Sequence, residues 1–211
     1  VSGDYKTTED KTVDPFEVMQ CDLFITESTF ALPLYKWKRN SEIFDGINKF
    51  WKTNIAQGKH TVLYAYSLGK AQRILANLDL SIGPIAVHGA VYNMNQIYHD
   101  FGRLDVCPPT LTNDELSKWS SPGLIIAPPS TIGSTWLKKV KPYNEAYISG
   151  WMSLRGQIRR RNMPGFALSD HADWNELLNT IKATNAKEVW VTHGFTDILS
   201  RYLNDIGIDA K

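Results

Sequence analysis

The chain has 211 residues, a net charge of +1 and 43% hydrophobic residues, ample for a sizeable core in one large domain or a domain with an insertion. The near-zero charge excludes a global basic field, so any surface for nucleic acid must be local. No apolar run approaches the roughly 20 residues of a membrane span, and no secretory leader pattern is present. Cys21 and Cys107 lie far apart without metal-type spacing, which excludes a disulfide framework and fits a cytoplasmic chain.

The sequence starts without an initiator Met, and Val1-Ser-Gly-Asp-Tyr-Lys6 reads as the end of a strand entering a turn, as expected of a fragment of a longer protein. Asp4 is the first carboxylate in such a strand-end position. Residues 7–15 read as loop. Cys21-Asp-Leu-Phe-Ile-Thr-Glu-Ser-Thr29 reads as a short apolar strand closing on Glu27. Asn40 to Gly58 has apolar residues at helical spacing, with Asn and Ser in front and Gly behind. A strand follows at 61–66, then a turn into a helix over 67–78. There Gly69 and Lys70 offer backbone N–H groups and an ammonium to a phosphate, although the spacing is not that of a Walker motif. Strands over 84–88, 123–127 and 145–151 and a helix over 91–101 complete an alternation that predicts a small parallel α/β domain across 59–151.

Arg155-Gly-Gln-Ile-Arg-Arg-Arg161 is the one dense basic stretch. Such a run is commonly a solvated face. Its place before a histidine-bearing segment favours a groove that tracks phosphates through Arg155, Arg159, Arg160 and Arg161, extended by Lys138, Lys139 and Lys141. Trp151 and Trp174 are candidates for stacking on bases, with core packing the ordinary alternative. His60 and His99 read as surface or packing residues, and His88 as a weak candidate for substrate contact.

Two segments stand out: Phe166-Ala-Leu-Ser-Asp-His-Ala-Asp-Trp174 and Val189-Trp-Val-Thr-His-Gly194. Each reads as a buried strand broken by a polar turn with a histidine at its end, followed by a helix. Asp173 with Glu176 gives a capping signature, and Thr196 is placed to cap the second helix. His171 and His193 therefore stand where a strand hands over to a helix, the edge at which α/β folds collect ligands. With Asp4 and Glu27 they form a set of four strand-end groups of the kinds that Zn²⁺ or Mn²⁺ prefers. The residues alone reach a metal-assisted hydrolase, on a polyanion if the Arg run serves the same site.

The series Ser-Gly-Asp-Tyr-Lys (2–6), Ile-Thr-Glu-Ser-Thr-Phe (25–30), Ser-Leu-Gly-Lys-Ala-Gln (67–72), Ser-Asp-His-Ala-Asp (169–173) and Val-Thr-His-Gly (191–194) resembles the β-CASP branch of the metallo-β-lactamase superfamily. Within it the chain is similar to bacterial ligase-associated DNA exonucleases, also described as mRNA 3′-end processing factor-like proteins. The resemblance implies an α/β fold, a partial αββα metallo-β-lactamase sandwich at 1–31 and 163–211 with a β-CASP cap at 32–162. It implies that Asp4 bridges metals, that Glu27 orients a metal-ligating histidine, that His171 stands near the scissile phosphate and leaving group, and that His193 is a metal ligand. It further implies two Zn²⁺ ions (Mn²⁺ as the alternative) and phosphodiester hydrolysis in DNA repair, with DNA favoured over RNA as partner and a DNA ligase or helicase as associate. An RNA-processing nuclease or a non-catalytic nucleic-acid-binding subunit of the same fold is the alternative. The family's His-x-His-x-Asp-His motif does not occur in these 211 residues. Asp4 and His193 fall short of the roughly three protein ligands of a catalytic zinc, so the polypeptide alone is expected to be inactive.

Overall fold

A computed structural model describes the backbone of residues 1–211 and every side chain except those of Gln157 and Arg161. In chain order the first elements are β1 (Leu23–Ser28), α1 (Asn40–Ala56), β2 (His60–Tyr64), α2 (Lys70–Leu75), β3 (Ile85–Val87), α3 (Gly89–Asp100) and α4 (Asn113–Ser117). Then come β4 (Leu124–Ala127), β5 (Tyr143–Ile148), α5 (Arg155–Arg161), β6 (Gly165–Phe166), α6 (Trp174–Thr184), β7 (Glu188–Gly194), α7 (Thr196–Asp205) and β8 (Asp209–Ala210). These form two compact units. The first consists of Val1–Asp10, Asp14–Trp37 and Ser169–Lys211, the second of Lys11–Val13 and Lys38–Leu168.

The second unit is built on a five-stranded, wholly parallel sheet in the order β3-β4-β2-β5-β6. Both faces are covered, so its central strands are continuous apolar runs. All four residues of β4, Leu124-Ile-Ile-Ala127, are buried. On one face Leu63, Leu124, Ile126 and Ile148 pack with Ile47 and Trp51 of α1 and Ile74 of α2. On the other, Val62, Tyr64, Ile125 and Tyr147 pack with Leu137, Val140 and Met152. Helix α1 forms because Ile43, Phe44, Ile47 and Trp51 recur on one buried face. It stops at Gly58, whose φ of 68° a residue with a side chain adopts only with strain.

The first unit holds a three-stranded parallel sheet, β1-β7-β8. Phe24, Val189 and Val191 pack with Leu177 and Ile181 of α6 and with Leu199 and Leu203 of α7. The capping box at the start of α6 is present as the sequence predicts: Asp173 accepts the Glu176 N–H, and the Glu176 carboxylate accepts the Asp173 N–H.

Several expectations are corrected. Residues 166–169 do not form a strand into His171. β6 ends at Phe166, and 167–173 is irregular: the Leu168 and Ala172 N–H groups donate to Phe166 O and Tyr5 O, and those of His171 and Asp173 to Ser169 Oγ and the Glu176 carboxylate. Val1–Lys6 is likewise not a strand, although the Ser2 N–H donates to Ile25 O at 2.9 Å. Thr196 is the first residue of α7 and not its cap; Phe195 stands at the cap position. Among the described residues, no helix is long and apolar enough to cross a membrane.

Candidate functional site

The site begins where β1 and β7 fall out of register. Glu27 pairs with Thr192, but Ser28 pairs with Gly194, which leaves His193 as the extra residue of a bulge. His193 has a φ of 51°, in the left-handed region that residues with side chains seldom adopt. The Ser28 hydroxyl holds the bulge by donating to Thr192 O at 3.0 Å and His193 O at 2.7 Å. Gly194 follows at φ 106°, and a Cβ there would strike the Ser28 backbone. The His-Gly pair is thus dictated by two strands in close approach. The His193 side chain is exposed.

Glu27 is only 3% exposed. One carboxylate oxygen, Oε1, accepts the Tyr5 backbone N–H at 2.9 Å, and the other, Oε2, meets His171 Nδ1 at 2.7 Å. Burial by itself would raise this carboxyl. The hydrogen bonds from His171, the Tyr5 N–H and the Thr29 side chain outweigh burial and hold it below the ordinary range. An ionised carboxylate against Nδ1 keeps the ring proton on that nitrogen and leaves Nε2 as the working atom. Nε2 lies 3.9 Å from Asp4 Oδ2.

Each partner is pinned. The His171 backbone N–H donates to Ser169 Oγ at 3.0 Å, and the Trp37 indole N–H donates to His171 O at 2.9 Å. Phe30 meets the imidazole edge-on at 5.8 Å. Asp173, besides capping α6, accepts the Trp37 backbone N–H at 2.7 Å. Asp4 is exposed, but its neighbour Tyr5 is buried and stacks on Phe16 at 4.6 Å. Burial, above all, pushes the Tyr5 phenol up to about 12.

Asp4, Glu27 and His171 thereby offer donor atoms that all lie within 4.8 Å of one another. His193 is not part of that group, although its backbone neighbours the Glu27–Ser28 step. The 2.7 Å Glu27–His171 contact is a hydrogen bond. Two ligands on one tetrahedral zinc stand further apart, about 3.4 Å for bonds of about 2.1 Å. Glu27 therefore stands behind His171, and the open pair is the Asp4 carboxylate with His171 Nε2. An exposed carboxylate beside an imidazole oriented by a buried one can pair a cation ligand, Asp4, with a proton-carrying ring, His171.

Lys70, Trp151 and the arginines of 155–161 lie in the second unit, Trp174 in the first. Lys70 is only 4% exposed, its ammonium 4.8 Å from the Tyr66 ring centroid, so it is packed inside and not presented at a phosphate-binding turn. Arg155, Arg159 and Arg160 are exposed along α5, while the Arg161 side chain lies outside the described residues. Trp174 is buried against Tyr202, which removes it as a stacking platform; Trp151 is exposed.

Tyr5, Trp37 and Ser169 are the site residues that sequence reading missed. Ser169 carried a signal, since a serine two residues before a backbone N–H forms a local turn. The Tyr5 and Trp37 contacts span 22 and 134 residues and left no local trace.

No protein-family model matches the chain. The chain is similar to a protein named "Probable DNA ligase" from Opitutus terrae, 30% identical over 210 residues. The match takes in 99% of this chain and 20% of that protein, so the chain spans about a fifth of the length of the curated relative it matches.

Proposed function

We propose that this chain is part of a DNA-processing enzyme, a metal-dependent phosphodiesterase of the β-CASP metallo-β-lactamase type that trims strand ends in conjunction with ligation. The observation that carries this reading is the grouping of Asp4, Glu27 and His171 within 4.8 Å. The five motifs in order and the ligase name of the Opitutus terrae relative support it.

Asp4, with His193 from the adjoining strand end, would hold the metal, and zinc or manganese suits these oxygen and nitrogen donors. When bound, the ion polarises the phosphate and lowers the pKa of its water. The chain's own residues do the rest. Glu27 holds the His171 ring through Nδ1 and stabilises its charged form. His171, protonated at Nε2, gives that proton to the departing oxygen. The exposed arginines of α5 hold the polyanion through its phosphates without reading sequence.

The test is run on the full-length gene product, because Asp4 and His193 alone leave a catalytic ligand set short. A 5′-labelled DNA strand and an RNA of the same sequence are incubated with Zn²⁺ or Mn²⁺ and either the parent protein or its His171→Ala variant. The expected result is metal-dependent shortening of DNA, slowed by roughly 10² to 10⁴ in the variant. Cleavage indifferent to His171 contradicts the mechanism, and preference for the RNA strand contradicts the substrate.

A further inference from the structure

The second unit contains a pocket of about 310 Å³ that plays no part in the chemistry above, lined by His60, Leu116, Trp119, Ser120, Ser121, Pro122 and Lys139. Its polar groups are almost all donors. The Gly123 backbone N–H donates to His60 Nδ1 at 3.1 Å, so the neutral ring carries its proton on Nε2. Burial lowers the His60 pKa and keeps that ring neutral. Lys139 donates to Leu111 O at 3.1 Å, which leaves two of its three ammonium protons for another partner. The Ser120 and Ser121 hydroxyls have no hydrogen-bond partner among the described residues. The carboxylate on this rim, Glu115, is held by Lys118 at 3.1 Å and by the Trp119 indole N–H at 3.3 Å.

The aromatic wall is built as deliberately as the donors. Trp119 sits 5.6 Å from the His60 ring and lies directly on Gly123, where any Cβ would overlap the indole and the Pro84 carbonyl. One glycine thus seats the tryptophan and, through its N–H, sets the histidine tautomer. Lys139 also stands 5.3 Å from the Trp136 ring, which in turn meets His88 edge-on at 4.9 Å. His88 Nδ1 accepts the Ala90 N–H, so this second imidazole is likewise a donor at Nε2.

From the joining of a cation, an imidazole N–H, two hydroxyls and an indole face in one small pocket, we propose that it binds a single nucleotide through its phosphate. A free nucleoside monophosphate and the phosphorylated end of a strand carry the same chemistry. The volume is at the lower end of small-ligand sites, which suits one nucleotide and not an extended strand.

The test is calorimetric titration of the chain with inorganic phosphate, deoxyadenosine 5′-monophosphate, deoxyadenosine, and a trinucleotide with or without a 5′-phosphate. The expected result is binding of the phosphorylated probes, with deoxyadenosine and the unphosphorylated trinucleotide at least about tenfold weaker. Lys139→Ala, an exposed position whose loss leaves the core intact, weakens the phosphorylated probes by about tenfold. Trp119→Leu weakens the mononucleotide more than it weakens inorganic phosphate. Tighter binding of the mononucleotide identifies a free nucleotide as the ligand, and tighter binding of the trinucleotide identifies a strand end. Affinities indifferent to the phosphate, or unchanged in Lys139→Ala, overturn the proposal. The titrations are run without divalent metal and read binding alone, so the outcome is independent of the phosphodiesterase reading.

Discussion

The two units solve the problem of a parallel sheet in opposite ways. In the second, β4 is buried along its whole length and both faces of the sheet are apolar. In the first, Phe24, Val189 and Val191 are buried on one face, while Leu23 at 36% and Trp190 at 40% exposure stand on the other. Its strand ends, moreover, bury Thr26, Glu27 and Ser28. A sheet closed on both faces leaves little room for chemistry in its middle. A sheet that buries polar groups at its ends needs specific partners for each, and those partners fix an imidazole and a carboxylate in space. The first unit is thus specified by hydrogen bonds where the second is specified by packing.

Removing one residue from each unit sharpens that contrast. Ile126→Ala, at 0% exposure in the centre of the larger sheet, should cost about 3 kcal/mol in urea unfolding, the sum of lost transfer energy and a cavity. Glu27→Ala should cost about 2 kcal/mol, although it removes little apolar surface, because it strands the Tyr5 N–H and His171 Nδ1. If Glu27→Ala costs nothing, the polar account of the first unit fails. Asp173→Ala should cost about 1 kcal/mol by thermal unfolding, since it removes the α6 cap and the acceptor of the Trp37 N–H.

A smaller effect separates charge from shape. Glu27 is held below its ordinary value of 4.5, so the folded chain binds fewer protons there than the unfolded one. Its contribution is complete above that value and is lost as pH falls through the folded one. Stability should therefore fall more steeply on acidification in the parent than in Glu27→Gln, which keeps an acceptor for Tyr5 but cannot titrate. Equal slopes would show that the carboxylate is not ionised in the fold.

Much of this architecture was legible in the sequence because it is local. The buried runs of β2 and β4, the spacing of Ile43, Phe44, Ile47 and Trp51 in α1, and the Asp173–Glu176 capping box each lie within one element. Glu27 is named from its place near the end of β1, which the structure bears out, whereas Asp4 and His171 are named from strand ends that do not form. That Glu27 grips His171 through Nδ1 could not be read, since 144 residues separate them. Lys70 shows the opposite failure: a glycine-lysine turn reads as a phosphate site, but a short helix buried on every side leaves the ammonium inside. The His171 segment read as a strand because Phe166, Ala167 and Leu168 are apolar, yet the ladder ends at Phe166.

The assignment of Asp4 and His193 to the cation, with His171 held by Glu27 for proton transfer, is tested most directly by metal content. Elemental analysis of the full-length gene product, after loading with Zn²⁺ or Mn²⁺ and desalting, is compared with its Asp4→Asn and His193→Ala variants. The account predicts metal retained by the parent and lost or sharply reduced in both variants, with the fold intact by circular dichroism. Equal metal in all three, or none in the folded parent, would contradict it.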